Sequence, residues 1–136
     1  MSQENVELVR RTFTELGPSV TWVERAARAG LVAPDAEFDF SALYPDGPTV
    51  HGVEGWRGYV GALPWGRSLN LDPEHFFDVD DERVLVFVRA TAEGKGSGVP
   101  VEMQTAHEFT IREGVIVRMK VHPDRAKALE AAGLSE

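Results

Sequence analysis

The sequence predicts an α+β domain in which helices pack on one face of a curved, antiparallel sheet. Apolar residues recur at helical spacing in the first part of the chain. The later part consists of short alternating or apolar runs bounded by turn residues. The chain has 136 residues, of which 43% are hydrophobic, and this is enough for one core. We therefore expect a single domain over residues 1–136.

Two short helices are predicted at the beginning of the chain. Ser2 can cap the first helix, and its apolar stripe consists of Val6, Val9, Phe13 and Leu16. Gly17-Pro18 ends this helix. The segment Thr21 to Glu24 has the pattern of a capping box and opens a second helix, which stops at Gly30. The two helices together form a helical hairpin.

A short strand and a third helix follow, separated by a loop. Pro34-Asp35 is predicted as a turn and Ala36–Phe40 as the strand, while Ser41 to His51 is a loop rich in proline, glycine and aspartate. Gly52 to Leu63 is predicted as a helix because its large apolar residues fall on one side. These residues are Trp56, Val60 and Leu63.

Glycines recur in the third helix at positions 52, 55, 58 and 61. Each interior glycine costs about 1 kcal/mol of helix propensity relative to alanine. The glycines therefore indicate close approach of another element or of a ligand. The alternative interpretation is a marginal helix that frays.

The second half of the chain is predicted as strands. The first two run over Glu74–Val79 and Arg83–Glu93 and are joined by an acidic turn. Val84 to Val88 is apolar at every position, so the second of these strands should be covered on both faces. After a glycine-rich link and a long hairpin, a last helix is predicted over Arg125–Ala132, terminated by Gly133.

The long hairpin, Val101 to His122, admits two registers. A two-residue turn at Glu113-Gly114 would put basic residues of the second strand on the same face as Phe109. A three-residue loop, Arg112 to Gly114 with the glycine left-handed, separates the apolar from the charged residues. We therefore predict the three-residue loop.

The predicted register gives the hairpin one apolar and one polar face. The apolar face consists of Met103, Thr105, His107, Phe109 and Ile111 beside Val115, Val117, Met119 and Val121. On the polar face Glu108 falls opposite Arg118, an ion pair worth about 0.2–1 kcal/mol. His107 is the anomaly, because it places a titratable group in the middle of the apolar face.

Composition excludes several classes of partner. The net charge is −8 and no basic run is present, so neither nucleic acid nor an anionic membrane surface is expected as a partner. The chain has no cysteine, no leader pattern and no apolar segment of about 20 residues, so we expect a soluble cytoplasmic protein. The histidines lack metal-binding spacing and the glycine-rich link is not a phosphate loop, so we expect no metal and no cofactor.

Several segments together are typical of one superfamily. They are SQENVELVRRTF, AEFDF, HGVEGWRGYV, EHFFDVDDERVLVFVRATAEGKGSG, AHEFTIREGVIVRMKVHPDRAKAL and EAAGLSE. On these segments the chain resembles SnoaL-like proteins of the nuclear-transport-factor-2 (NTF2)-like superfamily over nearly its whole length. The resemblance implies a cone in which a strongly curved antiparallel sheet wraps around N-terminal helices and encloses a pocket. It also implies a homodimer formed through the outer sheet face.

Members of this superfamily include polyketide cyclases, ketosteroid isomerases, dehydratases, epoxide hydrolases and proteins that only bind, so the fold does not decide the activity. Isomerase- and cyclase-like members use a carboxylate at the end of the short strand as a general base. The matching position here is Phe40, and Ser41 replaces the proline that follows in many relatives. Asp39 is adjacent, but it points to the other face unless a bulge turns it inward. Thr12 stands near the position of the isomerase tyrosine, so both departures count against inherited isomerase or cyclase chemistry.

The sequence thus predicts an apolar, aromatic pocket with few polar groups, which suits a flat hydrophobic small molecule. The expected ligand-binding residues are Trp22, Phe38, Phe40, Tyr44, Trp56, Tyr59, Trp65, Phe87 and His107. The alternative is that these aromatic residues only fill the core. Arg89 either binds a ligand carboxylate or faces outward, because the phase of its strand leaves both open.

Two functional hypotheses remain. The favoured one is a homodimeric binding module for a small hydrophobic or aromatic metabolite. The other is a cofactor-independent isomerase, cyclase or hydrolase in which His107, with or without Asp39, is catalytic. The alternative to a functional role is that His107 is a core histidine whose hydrogen bonds are made with Tyr59, Thr105 or a buried water.

Overall fold

The computed structural model describes residues 2–14, 22–43, 47–62, 69–93 and 98–134. Within these ranges the helices are α1 (Ser2–Thr14), α2 (Trp22–Arg28), α3 (Gly52–Gly61) and α4 (Arg125–Ala131). The strands are β1 (Val32–Asp39), β2 (Thr49–His51), β3 (Asn70–Asp78), β4 (Arg83–Glu93), β5 (Pro100–Arg112) and β6 (Val115–His122). The predicted α+β class is confirmed.

The six strands form one sheet in the order β2-β1-β6-β5-β4-β3. Neighbouring strands are antiparallel except β1 and β6, which run parallel, so the all-antiparallel prediction is wrong at this pair. The pairing places Phe38 opposite Met119, and both side chains are fully buried. Shared burial of apolar side chains therefore joins β1 to a strand that is far from it in sequence.

Both faces of the sheet are covered. The buried apolar residues of α1, α2 and α3 pack on the inner face and form the main core with Val84 and Val86. The prediction that all helices lie on one face is wrong for α4, which packs on Leu85 and Ala106 on the outer face. Since side chains alternate along a strand, these contacts confirm that β4 is covered on both faces.

Several element boundaries differ from the predicted ones. β1 begins at Val32, so the turn predicted at Pro34-Asp35 lies inside this strand, where its register with β6 shifts. β3 begins at Asn70, four residues earlier than predicted. β2 was not predicted, because its three residues lie in a segment rich in proline and glycine. The predicted end of α1 at Gly17-Pro18 and the capping box at Thr21 lie outside or at the edge of the described residues.

The hairpin formed by β5 and β6 corrects the predicted register. Glu113 and Gly114 form a two-residue turn, with φ angles of 53° and 75°. Ile111 pairs with Ile116, but Thr110 pairs with Arg118, so Val117 is an extra residue on β6. This bulge returns Met119 and Val121 to the inner face, as predicted, and brings Ile116 inside instead of Val115 and Val117.

The predicted ion pair between Glu108 and Arg118 is therefore wrong. Glu108 lies opposite Lys120, and its carboxylate accepts hydrogen bonds from Arg83 at 3.2 Å and pairs with His122 at 3.1 Å. Arg118 instead reaches β1, where it bonds Glu37. The outer face thus carries cross-strand pairs, but with other partners.

Two of the four glycines in α3 explain the predicted close approach. At Gly52 φ is +70°, and an added Cβ would lie 2.6 Å from the carbonyl oxygen of Pro34. At Gly55 it would lie 3.1 Å from Cβ of Val50. Outside the helix's own backbone, no atom of the described residues lies within 4 Å of a Cβ at Gly58 or at the last glycine of the helix.

We predict opposite effects of alanine at Gly52 and Gly58. Gly52→Ala should lower the free energy of unfolding by about 2 kcal/mol, because it combines a positive φ with a backbone clash. Gly58→Ala should raise it by about 0.5–1 kcal/mol through helix propensity alone. Urea denaturation of the two variants measures both effects, and equal midpoints would contradict the account.

Candidate functional site

A pocket of about 70 Å³ lies between α3 and the inner face of the sheet. Its lining residues come from α3, four strands and the segments next to them, and none of them carries a charge at neutral pH. They are Phe40, Leu43, Trp56, Tyr59, Val60, Leu69, Leu71, Ala90, Met103, Thr105, His107, Met119 and Val121. An engineered cavity of about 150 Å³ in another protein holds benzene, so this pocket is small in the present conformation.

Four of the predicted ligand-binding residues come together in this pocket: Phe40, Trp56, Tyr59 and His107. The rings of Phe40 and Tyr59 stack with 3.8 Å between centroids and 9° between planes. Trp56 lies beside them, 6.0 Å from Phe40. These three rings form an aromatic wall on one side of the pocket, in which Trp56 is tilted by 35° from Phe40.

Three other predicted residues lie elsewhere. Phe38 and Trp22 do not line the pocket; they are buried behind Trp56, at centroid distances of 5.0 Å and 6.1 Å. Phe87 lies on the outer face, where the guanidinium of Arg125 stands 4.7 Å above its ring. Tyr44 and Trp65 lie outside the described residues, so their prediction stays a prediction.

Several lining residues are not among those predicted for the pocket. The apolar face predicted for the hairpin contains Thr105, Met119 and Val121 as well as His107. Their position on the same face as His107 was the sequence signal that could have identified them. Leu43 and Leu69 lie outside regular elements, and periodicity gives no signal for them.

His107 is on β5, on the inner face of the sheet, between Val86 and Val121 of the neighbouring strands. It is 4% exposed, and its Nδ1 has no hydrogen-bond partner in the part of the chain that the structure describes. Burial, and secondarily the nearby His122, lowers the pKa of His107 to about 3. The imidazole is therefore neutral at physiological pH.

Asp39 lies on the opposite face of β1 from Phe40, as strand alternation predicts. Its carboxylate accepts hydrogen bonds from the backbone N–H and hydroxyl of Ser41, at 2.9 Å and 2.6 Å, and from Arg118 at 2.9 Å. Burial alone would raise the pKa of Asp39, but the bonds from Ser41 and the charges of Arg118 and Lys120 outweigh it and lower that pKa. This carboxylate is not among the groups that line the pocket.

The contacts of Asp39 nevertheless bear on the pocket, because they fix the turn that leaves β1. Within that turn Phe40 accepts a hydrogen bond from the N–H of Leu43 and donates one to Pro48. Phe40 and Leu43 both line the pocket. Asp39 thus holds part of the pocket wall in position from the outer face of the sheet.

Two further candidates from the sequence have ordinary structural contacts. Thr12 is buried, and its hydroxyl donates to the carbonyl of Val9 within α1. Arg89 faces outward and lies 3.7 Å from Glu102 in an exposed ion pair.

Among the described residues, no group of three or more acidic or histidine side chains is placed to hold a metal ion. Nor does any described helix have the length and apolarity to cross a membrane.

Helices wrapped by a curved, open sheet, with a pocket between them, define an NTF2-like protein. The SnoaL-like domain family matches residues 23–119, which is more than half of the chain. The chain therefore belongs to the SnoaL-like family, and the resemblance noted from the sequence is confirmed. A search of curated proteins by sequence gave no match.

Solved structures show the same fold at low sequence identity. Bal32a, from a soil-derived mobile gene cassette, is 20% identical, with a TM-score of 0.70 over 96% of each chain. A putative SnoaL-like polyketide cyclase from Jannaschia sp. CCS1 is 22% identical, with a TM-score of 0.67 over 98% of this chain and 94% of its own. TerC, co-crystallised with polyporic acid, is 22% identical, with a TM-score of 0.65 over 96% of this chain and 98% of its own.

We predict that His107→Leu stabilises the protein. The change removes a buried polar atom that has no partner among the described residues, and such an atom costs about 1–3 kcal/mol. The matched control is His122→Leu on the paired strand, because His122 is bonded to Glu108 and its loss should destabilise. Thermal unfolding at pH 7 compares the two, and a similar loss of stability in both variants would contradict the prediction.

Proposed function

We propose that this protein binds a small hydrophobic or aromatic metabolite in the pocket between α3 and the sheet. The observation that carries the proposal is an uncharged, largely apolar lining with the stacked rings of Phe40 and Tyr59 on one side. Such a wall suits a flat apolar molecule, which gains contact area there without leaving a charge unpaired. A similarly folded protein, TerC, was co-crystallised with polyporic acid, which supports the same class of ligand.

The second candidate is a cofactor-independent isomerase, cyclase or hydrolase in which His107 takes part in proton transfer. A structural neighbour described as a putative SnoaL-like polyketide cyclase favours it. The pKa of His107, lowered to about 3, argues against it, because an effective general base has a pKa near the working pH. The contacts of Asp39 with Ser41 and Arg118 also argue against that carboxylate as a base in the pocket. Binding is therefore the better supported function.

Filling the pocket tests the proposal. A thermal-shift screen of the native protein against aromatic polyketides, terpenoids and small ketones should give at least one stabilising compound. A ligand at about 100 times its dissociation constant adds about 2.7 kcal/mol. Ala90→Leu should abolish that shift, because Ala90 lines the pocket and the larger side chain occupies it.

Ala92→Leu is the matched control, because Ala92 is two residues along the same strand and does not line the pocket. It should leave the shift in place. A ligand whose effect survives Ala90→Leu binds elsewhere and would contradict the proposal. Product analysis after incubation with any confirmed ligand separates binding from turnover, since chemical conversion would favour the second candidate.

We also propose a homodimer through the outer sheet face, as the family resemblance implies. The charges of this face are largely paired within the chain, for example Arg118 with Glu37 and Arg83 with Glu108. A second copy could cover the face without isolating those charges. Sedimentation equilibrium should give twice the mass of the chain, and a monomer at all concentrations would refute the dimer.

A further inference from the structure

We infer that the ligand is uncharged and presents a hydrogen-bonding oxygen to β5, at Thr105 and His107. This inference rests on the proposed function, because it concerns the ligand of the same pocket. It adds two requirements for the ligand. The ligand carries no charge, and it presents a single polar group at a defined place on the pocket wall.

The selection against charge follows from the lining. None of the described residues that line the pocket carries a charge at neutral pH, and the charged residues of β5 and β6, such as Glu108 and Arg118, point to the opposite face. A carboxylate or an ammonium group entering the pocket would lose its hydration and meet no counter-ion among the described lining residues. The net charge of −8 opposes anions further.

The polar group is placed by two neighbouring side chains on the inner face of β5. Thr105 and His107 are each 4% exposed and both line the pocket. The Thr105 hydroxyl makes a long hydrogen bond of 3.4 Å to the carbonyl of Val88, while Nδ1 of His107 has no partner among the described residues. A buried polar atom without a partner destabilises a protein. A ligand carbonyl would gain affinity here by accepting a hydrogen bond from His107, in the tautomer with the proton on Nδ1, and from the Thr105 hydroxyl in place of its long bond to Val88.

The dimensions of the pocket favour a ligand of one ring. A volume of about 70 Å³ is smaller than the cavity of about 150 Å³ that holds benzene, so even one ring requires movement of the wall. Met103 lines the pocket, is 37% exposed and has a flexible, unbranched side chain, so it can move aside. Its displacement would enlarge the pocket next to Thr105. The geometry therefore points to a one-ring ketone, phenol or comparable neutral compound.

Four probes of nearly equal size test this inference by isothermal titration calorimetry on the full chain. They are acetophenone, ethylbenzene, benzoate and benzylamine, which carry a carbonyl, no polar group, an anion and a cation. We expect the two charged probes to bind at least about 100-fold more weakly than acetophenone, because neither finds a partner charge. We expect the ratio of acetophenone to ethylbenzene affinity to fall about fivefold in His107→Leu, because one hydrogen bond is lost.

Thr105→Val is the second variant and keeps the shape of the side chain. It should lower the same ratio, and thermal unfolding of both variants confirms that they fold. Binding of benzoate or benzylamine equal to that of acetophenone would overturn the inference while the proposed pocket stands. So would an affinity ratio that neither variant changes. Absence of binding by all four probes would overturn the inference, while the thermal-shift screen with Ala90→Leu decides the proposed function separately.

Discussion

The bulge at Val117 is the constraint on which the rest of the structure depends. Glu113 and Gly114 form a tight turn whose regular register would put basic residues of β6 into the core. The extra residue shifts the phase of β6 once, so that Ile116 and Met119 are buried and Arg118 faces outward. A single inserted residue therefore reconciles the turn with the hydrophobic pattern.

The same phase shift connects the two faces of the sheet. Because Arg118 faces outward, it can bond Glu37 and Asp39 of the parallel strand β1. Asp39 in turn holds Ser41 and fixes the turn that carries Phe40 to the pocket. The outer network of charges thus supports the aromatic wall on the inner face, although none of its members lines the pocket.

Periodicity in the sequence was sufficient for the fold class, for α4 and for β4, because these elements have strong apolar patterns and clear end signals. It was insufficient for β2, which is three residues long, and for the hairpin register, because a bulge breaks the period of two on which the prediction depended. The parallel contact of β1 with β6 is a long-range pairing and leaves no local signal.

For the site, the alternation of side chains along a strand correctly predicted that Asp39 and Phe40 lie on opposite faces and that His107 lies on the inner face. Aromatic composition could not separate residues that line the pocket from residues that fill the core. Phe38 and Phe40 lie two positions apart on the same face, yet only Phe40 reaches the pocket. That difference depends on how far each side chain lies from the pocket along the sheet, and the hydrophobic periodicity of the sequence carries no information about this distance.

The central claim is that burial in the pocket keeps His107 neutral, with no charge partner among the described residues. The direct measurement is an NMR titration of the His107 imidazole in the native protein, with His107→Leu used to assign its signals. The account predicts that the ring stays neutral from pH 8 to about pH 4, in keeping with a pKa of about 3. A titration midpoint near the ordinary histidine value of about 6.5 would show a solvated or charge-paired imidazole and would contradict the account.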